Sequence, residues 1–77
     1  MEVSIKNNPT WLRMVVDDNL AFEGIMAVGE SRKFEAKREI KLTTGKAGNT
    51  FINWQGQDLG SLGSNDEVIR DKIFSVK

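Results

Sequence analysis

The chain has no cysteine, no histidine and no tyrosine, and a single proline, among its 77 residues. Without cysteine there is neither a disulfide nor a thiolate nucleophile, and the redox compartment leaves no mark on the sequence. Without histidine the chain lacks the commonest general base, the commonest metal ligand and the usual switch near neutral pH. Net charge is also missing, since eleven basic residues offset eleven acidic ones. That balance argues against a duplex nucleic-acid binder, whose affinity rests on cations neutralising phosphates. It argues equally against a polybasic membrane-surface module. No apolar run approaches the roughly 20 residues that span a bilayer, and the first residues carry no signal-peptide pattern. No repeat of solenoid period is present.

What is present is a rhythm of short β-friendly runs and polar turns. Hydrophobic residues make up 39% of the chain and seven glycines are present, together about 48%, an ordinary globular share, so the length and composition imply one folded domain over residues 1–77. Glu2 to Lys6 alternates, with Val3 and Ile5 on one face, and Pro9 ends that run. Thr10 to Val16 is the next strand. Its Leu12, Met14 and Val16 share one face and Trp11, Arg13 and Val15 the other. The charge of Arg13 makes the Leu12 face the inner one.

Asp17-Asp18-Asn19 is a hairpin turn of residues that tolerate left-handed backbone. Leu20 to Met26 returns antiparallel, with Leu20, Phe22 and Met26 expected on one face and Gly24 marking a bulge or a close backbone approach. Val28-Gly29 makes another turn, and Ser31 to Ala36 a further strand with Phe34 and Ala36 on one side. Lys37-Arg38-Glu39 forms a charged corner. Glu39 to Thr44 alternates through Ile40 and Leu42, and Gly45 to Asn49 is a turn. Thr50 to Trp54 follows as a strand and ends at Gln55-Gly56-Gln57. Asp58 to Asn65 is rich in glycine and serine and reads as a loop, with Leu59 and Leu62 plugging the core. In Glu67 to Val76 the apolar positions 68, 69, 73 and 74 fit neither helical nor strand period. The apolar spacing 69, 73, 76 would suit a short helix, whereas the β-branched content and the surrounding strands favour a closing strand. Seven to eight short strands with recurring turns describe a small antiparallel β-sandwich, all-β and Ig-like.

Few residues could carry chemistry. Trp11 faces outward beside Arg13, where it could anchor a partner, stack on a sugar or simply cover an edge. Phe51 lies opposite the inward Ile52 and Trp54 and is the second candidate for an exposed aromatic. The basic run from Arg32-Lys33 to Lys41 has acids interleaved and reads as a solvated strand face. Asp17-Asp18 and Asn65-Asp66-Glu67 are acidic clusters without a calcium-loop pattern. Gly60 to Ser64 lacks nucleophile-elbow spacing, and Gly45 to Gly48 lacks the phosphate-loop pattern. Neither a catalytic residue nor a cofactor or metal site is expected.

The same landmarks resemble a known family. Trp11-Leu-Arg-Met-Val-Val-Asp-Asp, Phe22-Glu23-Gly24, Gly29-Glu30-Ser31, Phe34-Glu35-Ala36 and Ile40-Lys-Leu carry the likeness. It continues through the Gly45 to Gly48 turn, Trp54, Gln55-Gly56 and Leu59-Gly60-Ser61-Leu62-Gly63, covering residues 3 to 75. Together they look like the C-terminal domain of the RodZ family of bacterial cell-shape proteins. Three turns depart from its pattern. Gly45-Lys46-Ala47 stands where the family tends to have Gly-Asn-Ala, Gln55-Gly56 where it has Asn-Gly, and Val28-Gly29 where it has Pro-Gly.

The resemblance implies a piece of a bitopic membrane protein. In such proteins a cytoplasmic helix-turn-helix domain contacts the actin-like cytoskeleton, and this domain lies outside the membrane. It further implies a non-enzymatic interaction module for a protein partner or a cell-wall component, and the alternation offers Trp11, Arg13 and Phe51 as its candidate contact residues. A single-stranded nucleic-acid binder of the OB or cold-shock type is the alternative. It ranks lower, because the aromatics are not clustered with basic residues.

Overall fold

A computed structural model describes residues 1–64 and 67–76. Eight strands run in chain order: β1 Glu2–Ile5, β2 Thr10–Val16, β3 Asn19–Met26, β4 Ser31–Lys33, β5 Glu39–Thr44, β6 Thr50–Trp54, β7 Gln57–Ser61 and β8 Ile69–Ser75. A short 3-10 turn, Ala47–Asn49, leads into β6. The strands form two four-stranded sheets, in the orders β4-β1-β6-β7 and β3-β2-β5-β8. Every pairing between them is antiparallel. This is the expected sandwich, with two separate sheets in place of the closed barrel of an OB fold.

Alternation explains the core. Val3 and Ile5 of β1, Leu12 and Met14 of β2, Met26 of β3, Ile40 and Leu42 of β5, and Ile52 of β6 are all at most 1% exposed. Each such side chain contributes about 1.5–3 kcal/mol by leaving water. Trp54 is half-buried against this core, and its ring lies 5.9 Å from that of Phe74 on β8. Polar side chains inside are paired: the Thr44 and Thr50 hydroxyls bond each other at 2.8 Å, and Thr50 also donates to the Lys46 carbonyl at 3.0 Å.

Three bulges set what the alternation could not. The first sits where Met14 pairs Phe22 and Val15 pairs Leu20, leaving Ala21 unpaired. The extra residue reverses the phase of β3, so Leu20 turns outward and is 56% exposed, against the expectation that it shares the inner face of Phe22. The second bulge sets Ile52 opposite Gly60 and Asn53 opposite Asp58, with Gly60 at φ 71. It lets the Asp58 to Asn65 segment, read as a loop, supply strand β7, and it leaves Leu59 exposed, while Leu62 packs on the core as expected. The third lies between Leu42 and Thr44 opposite β8, where Asp71 has φ 48 and donates its backbone N–H to the Thr43 hydroxyl. One extra residue in β8 is why its apolar positions fit no single period. The strand expected over Ser31 to Ala36 ends at Lys33, although Phe34 still exchanges two backbone bonds with Met1, each at 2.7 Å. Phe34 and Ala36 both pack on the core.

Candidate functional site

The outer face of the β3-β2-β5-β8 sheet carries four of the exposed large apolar side chains, Trp11, Leu20, Ile25 and Ile73. Registration places Trp11 opposite Ile25, Arg13 opposite Glu23, and Val15 opposite Leu20. Directly opposed residues point to the same side of a sheet, so these six make three rows across two strands. Trp11 is 41% exposed and Ile25 69%. Between the apolar rows, Arg13 Nε stands 3.9 Å from Glu23 Oε2, with both side chains about half accessible. Beyond β2, Lys41 pairs Val15 and Ile73 pairs Lys41, and Ile73 is exposed as well.

Ile25 and Glu23 belong to this surface although only Trp11 and Arg13 were singled out from the sequence. Phe22, Gly24 and Met26 point inward, so simple alternation already sends Glu23 and Ile25 out. Leu20 carried no such signal, because its direction depends on the bulge. Gly24 has φ 150, and a Cβ there would stand 3.7 Å from the Phe22 ring. That is an ordinary contact with a side chain, so the close backbone approach expected at Gly24 is not found there, and the bulge lies at Ala21 instead.

Phe51 is on the other sheet. Its neighbours Thr50 and Ile52 are buried, so its ring faces outward from β6, on the opposite side of the sandwich from Trp11 and Arg13. The three candidate contact residues therefore divide between two faces of the sandwich. Around Phe51 lies a shallow groove of about 160 Å³ lined by Glu2, Ser4, Lys6, Asn53 and Asp58. The Lys6 ammonium sits 4.4 Å from the centre of the Phe51 ring. A cation over the ring face is a favourable contact, and it occupies the surface on which a sugar would stack.

The acidic residues of the first hairpin have a structural task. Asp17 and Asp18, at φ 48 and 67, form the two-residue turn between β2 and β3. The Asp17 carboxylate accepts three backbone N–H bonds, from Lys37 at 2.7 Å, Arg38 at 2.8 Å and Glu39 at 3.0 Å. These donors, that of Lys37 foremost and then that of Glu39, hold its pKa below the usual carboxylate value. With its oxygens so engaged, Asp17 is a tie between the hairpin and the charged corner. Among the described residues no three acidic side chains gather as a metal set would require. Asn65 and Asp66 of the second acidic cluster lie outside the described residues.

The basic run is likewise distributed. Arg32 bonds Glu30 at 2.9 Å and lies 4.5 Å from the centre of the Phe22 ring, bridging the facing edges β4 and β3 of the two sheets. Glu30 also accepts the Ala27 N–H, and that bond first and Arg32 second lower its pKa. Arg38 turns to Asp18 at 3.4 Å. Among the described residues no basic stripe with interleaved aromatics results, and that is the arrangement a single-stranded nucleic-acid groove needs.

The family model of the RodZ C-terminal domain matches residues 6–71. That span contains all of β2 to β7 and the first part of β8. No curated protein and no solved structure matches the chain.

Proposed function

This chain belongs to the RodZ C-terminal domain family, and from that premise we propose that it is a non-enzymatic interaction module of a RodZ-like cell-shape protein. In this reading it lies outside the membrane, C-terminal to a transmembrane helix of its parent. It acts by docking a protein partner on the outer face of the β3-β2-β5-β8 sheet. The observation that carries the reading is the pair Trp11 and Ile25, opposed across β2 and β3 and both open to solvent. Contiguous apolar groups with charges beside them are the usual anatomy of a protein contact, and tryptophan and arginine are the residues that most often dominate its energy. A wall-glycan reading of Phe51 has less support, since Lys6 covers the ring.

The test is complementation by the full-length parent. Trp11→Glu or Ile25→Glu should abolish rod-shape maintenance while the protein remains folded and membrane-localised, whereas Phe51→Ala should keep it. Full complementation by both charged variants would remove the docking role from this face.

A further inference from the structure

We propose that the β2–β3 part of this face is occupied by a second copy of the same chain. The pair would be a weak face-to-face dimer whose two-fold axis runs along the seam between β2 and β3. The inference rests on the docking reading above and names its occupant.

Charge complementarity selects the occupant. Each strand contributes an apolar, a charged and an apolar residue at matching heights: Trp11, Arg13 and Val15 on β2, and Ile25, Glu23 and Leu20 on β3. A face-to-face dimer needs a two-fold axis lying in the contact plane, and two directions are natural. An axis perpendicular to the strands, through the charged row, would set Arg13 on Arg13 and Glu23 on Glu23. Like charges so placed repel. An axis along the seam instead exchanges β2 for β3. Each Arg13 then faces the partner's Glu23, each Trp11 the partner's Ile25, and each Val15 the partner's Leu20. The patch is self-complementary in this one arrangement, as an isologous interface must be. Within one chain the Arg13–Glu23 separation is a long 3.9 Å, and both groups keep about half of their accessibility, so each can take a second partner.

The same axis has a consequence for anchoring. Rotation about a line parallel to the strands leaves every residue at its own height along that line. Both N-termini therefore emerge at the same end, as two copies held in one membrane require. The perpendicular axis would send them to opposite ends.

Size sets the strength. The whole domain extends 31 × 23 × 19 Å, and two strands cover only part of a face. The contact is thus smaller than the roughly 800 Å² per partner of a standard interface. In free solution the dissociation constant should be on the order of 0.1–1 mM, and confinement of two copies to one membrane raises their effective concentration.

The experiment follows the amide spectrum of the chain from about 20 µM to about 2 mM, a range that brackets such a constant. Concentration-dependent shifts are expected on the outer faces of β2 and β3. Arg13→Glu and Glu23→Arg should each weaken self-association about tenfold or more, with the dispersed spectrum of the folded domain retained. An equimolar mixture of the two variants should restore it, because opposite charges again meet across the axis. Ile73→Glu, two strands away from β2, should leave it unchanged.

The proposal is overturned if the shifts are absent throughout the range, if they map elsewhere, if the mixture fails to associate, or if Ile73→Glu disrupts the contact. A monomeric chain whose Trp11→Glu variant still loses shape maintenance would sink the dimer and leave the docking reading standing. A dimer whose face variants all support rod shape would do the reverse.

Discussion

Asp17 joins parts of the chain that are twenty residues apart. Its carboxylate receives the backbone N–H groups of Lys37, Arg38 and Glu39 and so fixes the β2–β3 hairpin against the entry to β5. Because these bonds favour the charged form, the folded-state pKa lies below the unfolded value of about 3.9. The stabilisation is therefore complete above that value and is lost as pH falls through the lower folded-state pKa. Glu30, also lowered, adds to the loss in the same acid range. Asp17→Asn should reduce thermal stability at pH 7 and shrink the difference between the melting temperatures at neutral and acid pH. An unchanged difference would show that the tie is not electrostatic.

A second residue-scale test concerns Thr50, which has no exposed surface. Thr50→Val keeps the shape but leaves the Thr44 hydroxyl and the Lys46 carbonyl each short of a bond. A loss of about 1–3 kcal/mol is expected from the urea midpoint. The sequence shows a threonine pointing inward at each of these positions, but not that they meet. Their contact joins β5 in one sheet to β6 in the other.

At the scale of elements, the turns show what local chemistry controls. Gln55 and Gly56 have φ 52 and 80, the doubly left-handed backbone of a tight hairpin between β6 and β7. Glycine adopts it freely, and a glutamine does so at a cost of about 1–2 kcal/mol. Asparagine tolerates the same backbone better, so Gln55→Asn should raise stability by about 0.5–1 kcal/mol in a denaturant titration. The bounds of β2, β5 and β6 were legible, since each run alternates without interruption between turn residues. β7 was not, because glycine and serine lower strand propensity, and its place is set by pairing with β6 across a bulge. In β8 the bulge at Asp71 likewise broke the periodicity that would have marked it.

At the scale of the whole molecule, the sheets are assembled largely from distant segments. β1 lies between β4 and β6, and β5 between β2 and β8, so much of each ladder must wait for long loops to close. The domain should fold in about milliseconds to seconds, as β-sandwiches do, in place of the microseconds open to helical bundles. A stopped-flow folding arm resolved within that window would agree, and a microsecond relaxation would not. The open edges are managed by means that only the assembled sandwich displays. β7 and β8 are bulged, β4 is three residues long, and the Arg32 side chain lies over Phe22 beside β3. The outer faces are free of such devices, and there the candidate site was half legible. Trp11 and Arg13 point outward by alternation alone, whereas the facing Ile25, Glu23 and Leu20 join them through pairing and one bulge.

The amino-acid sequence by itself determined most of the strands and most of their inner faces, because side chains alternate with a period of two and turn residues select their own backbone. It also excluded thiol and imidazole chemistry by composition. The tertiary structure alone decided which strands neighbour one another, where an extra residue reverses a face, and that Trp11 and Phe51 stand on opposite sides of the sandwich. Those outcomes depend on hydrogen bonds between segments far apart in the chain. A strand's own residues state its period but not its partner.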